Sequence, residues 1–113
     1  MRHEREQLAA EARLLMGDEA LISFLRSCRG TTSVLACRLI NEELEQGCTL
    51  DALFYTGSPL GYRLTARQTG PNELRVSFGC QANPDVGDGG EWIVVLTPSG
   101  GIDRIELEAQ WMS

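Results

Sequence analysis

Apolar residues recur at helical spacing up to about residue 48 and at every second position after Gly57. Side chains on one face of a helix return every three or four residues, and those on one face of a strand every two. No element satisfies both periods, so the chain is required to build helices first and strands afterwards. Leu8, Ala12, Leu15 and Met16 form a first helical stripe, closed by Gly17. Asp18 is placed to cap a second helix carrying Leu21, Ile22, Leu25 and Cys28 and ending at Gly30. Thr31, Thr32 or Ser33 caps a third, with Leu35, Leu39, Ile40 and Leu44 and a stop at Gly47. Short oxygen-bearing side chains accept from the free amides of a first turn, and glycine takes the left-handed conformation that ends a helix. A further short turn is expected over Leu50 to Phe54, capped by Thr49.

In the second half, LGYRLTARQ points Leu60, Tyr62, Leu64 and Ala66 to one side, with Arg63, Thr65 and Arg67 on the other. ELRVSFGC does the same with Leu74, Val76, Phe78 and Cys80 against Arg75 and Ser77. EWIVVLT is apolar on both faces. In IDRIELEAQW the inward set is Ile105, Leu107, Ala109 and Trp111. The separators TGPN and PSGG are turn sequences. These features predict a two-layer α+β fold: about three N-terminal helices (residues 1–48) on a four-stranded antiparallel meander sheet (residues 58–112), in one domain spanning 1–113. In the first hairpin, charge favours the register that sets Arg67 opposite Glu73 over the one that sets it opposite Arg75.

Sixteen acids face ten bases, all of them arginine, for a net charge of -6. That balance opposes nonspecific binding to nucleic acid or anionic membrane. A helix-turn-helix over residues 18–29 and 33–46 would offer DNA a helix bearing Glu42, Glu43 and Glu45 against Arg38 alone. The opposite charge is needed to meet phosphate. MRHEREQ is charged and no long apolar run follows it, so neither a signal peptide nor a membrane span is expected. The expected setting is the cytoplasm. Cys28, Cys37, Cys48 and Cys80 contain no C-x-x-C pair and read as reduced core thiols rather than zinc ligands.

Catalytic equipment is sparse. There is one histidine, His3, far from any other candidate, and there is no lysine. No glycine-rich phosphate loop or H-E-x-x-H is present. Asp85, Asp88 and Glu91 in NPDVGDGGEW are hard-cation ligand types, but the spacing fails the EF-hand pattern. Counted from Asn83, the sixth position is Asp88 instead of glycine and the twelfth is Val94 instead of an acid. DVGDGG is therefore expected to be a hairpin connection. No catalytic residue, metal or cofactor is assigned.

The binding candidates are Arg63, Arg67 and Arg75 on the polar sheet face, Trp92 as an aromatic contact to one of them, Asp85 and Asp88 in the connection, and Ile93 and Val95. Ile93 and Val95 form the second apolar face of a strand whose first face already meets the helices. The leading expectation is a small non-enzymatic interaction protein, acidic and self-associating through its sheet or binding a protein partner. One alternative is a small-molecule-binding, cone-like domain, which could be an enzyme using carboxylates or Tyr62. The order of helices then curved sheet is similar in topology to cystatin-like cone folds. The other alternative is an acidic inhibitor or immunity-type protein that blocks a basic site.

Overall fold

A computed structural model describes residues 10–28, 35–54, 61–83 and 86–112. Four helices, α1 (Ala10–Met16), α2 (Asp18–Cys28), α3 (Leu35–Glu45) and α4 (Leu50–Leu53), precede four strands, β1 (Tyr62–Gly70), β2 (Glu73–Asn83), β3 (Val86–Leu96) and β4 (Ile102–Met112). The strands form one antiparallel sheet in the order β1-β2-β3-β4, so the chain is an α+β meander. No helix among the described residues is long and apolar enough to cross a membrane.

Helix ends follow local chemistry. Gly17 and Gly47 have φ of 82° and 92°, which glycine adopts without penalty. Thr49 caps α4, its side chain accepting from the Ala52 amide at 3.2 Å. Asp18 differs from expectation. The Gly17 carbonyl already accepts from Leu21 N at 3.0 Å, which makes Gly17 the capping position and Asp18 the first helical residue. The Asp18 carboxylate instead receives both Arg13 Nε and Nη2 at 2.9 Å, and Arg13 Nη1 reaches Asp51 at 2.6 Å. The expected caps Thr31, Thr32 and Ser33, with Leu8, Gly30, Gly57 and Leu60, lie outside the described residues.

The core forms where the helical stripes meet the even-numbered sheet positions. Leu21, Phe24 and Leu25 of α2 and Ala36, Cys37 and Ile40 of α3 are buried against Leu64, Val76, Phe78, Trp92 and Val94. Each such large side chain contributes about 1.5–3 kcal/mol by leaving water. Trp92 is fully buried, its ring edge-on to Phe24 with centroids 5.3 Å apart at 87°. Its indole extends over Gly90, where a Cβ would stand 2.7 Å from the ring. Trp92 thus lies on the inner face and is no contact for the arginines of the outer face. In α3 the buried face is turned relative to expectation: Leu35 is 38% exposed, and Asn41 takes a buried position. Its Nδ2 donates to Leu25 O at 2.8 Å and Cys37 O at 2.7 Å, tying α3 to the last turn of α2.

Three sheet details depart from the sequence expectation. First, Arg67 pairs with Arg75, not Glu73. A two-residue turn at Pro71–Asn72 sets Gly70 opposite Glu73, and an irregularity between Gln68 and Gly70 shifts the ladder. The like charges are offset because Arg75 reaches Glu91 at 2.7 Å and Glu108 at 3.4 Å on the next two strands. Second, Gly87 to Gly90 are no hairpin connection. They are paired strand, opposite Gln81, Cys80, Gly79 and Phe78. Third, β4 pairs Leu107 with Trp92 but Ala109 with Glu91, so an extra residue, Glu108, bulges from the ladder. A bulge reverses the alternation beyond it. Ala109 and Trp111, expected inside, therefore lie on the outer face.

Candidate functional site

With the inner face packed on helices, the outer face holds five of the sequence-predicted binding residues, Arg63, Arg67, Arg75, Ile93 and Val95. Alternation and register arrange it in rows across the four strands. One row reads Arg63, Gly79, Gly89, Trp111; the next reads Thr65, Ser77, Glu91, Ala109; the next reads Arg67, Arg75, Ile93, Glu106. Beyond these, Glu73, Val95 and Arg104 continue the face.

The first row has a structural logic. Trp111 is 44% exposed and lies across two glycines. A Cβ on Gly89 would be 2.4 Å from the indole, and one on Gly79 would be 2.8 Å from it. Adjacent outward glycines leave a slot in the sheet surface that an aromatic ring from the neighbouring strand fills. One ring face meets backbone, and part of the ring stays exposed.

The middle rows combine charge with apolar surface. Arg75 is held at the centre by Glu91 and Glu108, and Arg104 pairs with Glu106 at 2.9 Å at the β4 edge. Arg63 and Arg67 on β1 are exposed and make no ion pair with a described residue. Ile93 and Val95 sit between these charges, each partly buried. A groove of about 260 Å³ runs over this face, lined by Thr65, Arg67, Arg75, Ser77 and Glu91 with Glu11 of α1 at its edge.

Asp88 is on the other side of the sheet. Even-numbered residues of β3 point inward, and Asp88 is 9% exposed beneath α3. Its Oδ2 accepts from Leu35 N at 2.5 Å and its Oδ1 from Ala36 N at 3.1 Å. A strand residue thus caps α3, whose own first turn holds no acid. The carboxylate satisfies two orphan amides and meets the positive end of the helix dipole. Both oxygens are occupied, so Asp88 is a capping residue and not a candidate ligand for a cation. Asp85 lies outside the described residues. Among those residues no three His, Cys, Asp or Glu side chains gather into a metal-binding group.

Tyr62 is fully buried, stacked on Phe78 at 6.0 Å and close to Phe54. It does not line the groove of about 260 Å³, nor one of about 610 Å³ between α2 and the turn before β4, nor one of about 330 Å³ beside α4. Its hydroxyl has no hydrogen-bond partner among the described residues. Burial first, and then the nearby Glu43 carboxylate, push its ionisation up. Glu43 is close enough to oppose a phenolate without standing in hydrogen-bonding geometry, since one of its own oxygens is also without a partner. A group whose folded pKa is raised contributes stability below its unfolded value, near 10, and that contribution is lost as pH climbs above it. Tyr62→Phe is expected to be near neutral at pH 8 and to outlast the wild type above pH 10. The gap should grow by about 1.4 kcal/mol per pH unit. Urea unfolding of both proteins at pH 8 and pH 11 measures it, and equal alkaline losses would remove Tyr62 from the account. The buried thiols of Cys28 and Cys80 are also raised, Cys28 by its contact with Cys37 and Cys80 by burial, so they add the same sign equally to both proteins.

The chain matches no protein-family model, no curated protein and no solved structure.

Proposed function

We propose that the chain is a non-enzymatic interaction protein that works through the outer face of its sheet, with a second copy of itself as the partner. The observation that carries the reading is the division of charge between the two edges of the outer face, with Ile93 and Val95 partly buried on β3 between them. Arg63 and Arg67, which make no ion pair with a described residue, stand on β1; Glu106 and Glu108, paired within the chain with Arg104 and Arg75, stand on β4. A two-fold axis parallel to the strands lays β1 of one copy over β4 of the other while keeping each row in register with itself. Arg67 then meets the partner's Glu106. Arg63 meets the exposed part of the partner's Trp111 ring, a cation–π contact. Ile93 and Val95 are covered by the partner's β2, with Arg75 and Glu73 of that strand opposite them. Isologous contacts of this kind close into a dimer and do not propagate.

Light scattering on the eluting protein tests this. A dimer is expected at micromolar concentration. Arg67→Glu sets like charges against each other across the interface and should weaken association by about 100-fold. Adding Glu106→Arg in the same chain should restore most of it. A monomer at every concentration up to about 100 µM would end the proposal, since an affinity weaker than that is no stable assembly. So would a dimer indifferent to both changes.

A further inference from the structure

Under the helical layer, Cys28 at the end of α2 and Cys37 in the first turn of α3 bring their sulfurs to 2.6 Å. That is closer than the usual contact of two carbon atoms, about 3.5–4.0 Å, although sulfur is larger. A disulfide bond is about 2.05 Å, so only about half an ångström separates this contact from a covalent one. Both side chains are buried, at 0% and 1% exposure. The contact is also held from two sides. Asn41 bonds α3 to Leu25 in the last turn of α2, and Asp88 bonds the first amides of α3 to β3. Cys80 lies opposite Asp88 in the ladder, at the same corner.

We propose that Cys28 and Cys37 form a reversible intramolecular disulfide, a covalent modification site that locks α2 to α3 when the chain meets a low-molecular-weight disulfide such as glutathione disulfide. One protein thiolate attacks a glutathione sulfur, forming a mixed disulfide and releasing one glutathione thiolate. The second protein thiolate attacks the protein sulfur of that mixed disulfide and expels the other glutathione thiolate. Two protein thiols are oxidised, one small disulfide is reduced to two thiols, and the two protons leave with the glutathione. Burial keeps the reduced pair slow to react, since the thiolate is the nucleophile. Exchange therefore proceeds as the protein folds or as this corner opens.

The cysteine spacing supplies an internal control. Cys28 and Cys37 are 9 residues apart, and Cys37 and Cys48 are 11 (48 − 37). Chain statistics alone favour these two closures within about a factor of two. The experiment refolds reduced wild-type protein from denaturant into a glutathione redox buffer, quenches with acid and maps tryptic peptides by mass. A parallel sample stays in urea. Trypsin cuts after Arg29 and Arg38, so only a disulfide can hold the peptides of Cys28, Cys37 and Cys48 together. In urea the two linkages should be comparable. In native buffer the Cys28–Cys37 linkage should exceed the other by at least about tenfold, and the oxidised protein should melt roughly 10 °C higher than the reduced one. Four free thiols after refolding would overturn the proposal. So would a native ratio equal to that in urea, or glutathione left attached to Cys28 or Cys37 as the main product.

Discussion

Replacing Asp88 by alanine is expected to lower the melting temperature by roughly 10–20 °C, although the residue lies on a strand. The reason is the pair of amides it serves. Leu35 N and Ala36 N open α3, and both point to this one carboxylate. Alanine leaves one buried and one part-buried donor without an acceptor. It also removes the negative charge from the helix's positive end and from beneath a helix whose acids cluster toward its other end. Unpaired buried donors cost about 1–3 kcal/mol each, and loss of a cap about 0.5–2 kcal/mol. These overlap, so the expected loss is about 2–4 kcal/mol. Asp88→Asn keeps one acceptor oxygen and should lie between wild type and alanine. Thermal melts rank the three proteins, and hydrogen exchange locates the effect. Amides of α3 should exchange faster in Asp88→Ala before the central strands β2 and β3 do. A melt within about 2 °C of wild type would show that α3 finds another cap.

Asp88 also shows which parts of this protein are legible in its sequence. Helix and strand periods are local, and so they are readable. The stripes through Ala12 and Met16, through Leu21 and Leu25, and through Leu74, Val76 and Phe78 are buried in the structure as their spacing requires. The glycines of DVGDGG argue locally for a turn, yet tertiary pairing with Cys80, Gly79 and Phe78 makes them strand. The overlooked signal was parity. Asp88 has the same parity as Trp92 and Val94, so an extended segment points it inward, where a carboxylate requires a donor. Register is a different case. The Arg67–Glu73 attraction belongs to one strand pair, while Arg75 is satisfied by Glu91 and Glu108 two strands deep. No pairwise rule applied to the first hairpin contains them. The bulge at Glu108 is also silent in IDRIELEAQW, whose alternation runs on unbroken. Only the facing glycines reveal it, because a ring on the outer face requires residues without side chains beneath it.

Those glycines carry the other large expected effect, and they differ in a way that isolates Trp111. At Gly89 the three nearest atoms to a new Cβ all belong to the Trp111 indole, at 2.4, 2.5 and 2.7 Å. At Gly79 the nearest are backbone, Asp88 O at 2.5 Å and Gly89 Cα at 2.8 Å, with the indole also at 2.8 Å. A ring at the end of a side chain can swing away, but paired backbone at the centre of a sheet cannot. Gly79→Ala is therefore expected to cost about 3 kcal/mol or more, at the upper end of overpacking penalties, and to lower the melting temperature by about 10 °C or more. Gly89→Ala should cost less, about 1–2 kcal/mol, by evicting the ring. Combining each with Trp111→Ala separates the two causes. The Gly89→Ala penalty should largely vanish in that background, whereas the Gly79→Ala penalty should persist, because its backbone contacts remain. Interaction energies from these two double-mutant cycles, measured by urea unfolding, decide the matter. Equal coupling in both cycles would place the clash elsewhere. The same proteins bear on self-association. Gly89→Ala removes the platform on which Trp111 rests without deleting the indole. If the partner's Arg63 meets that ring, dimerisation should weaken in Gly89→Ala nearly as much as in Trp111→Ala.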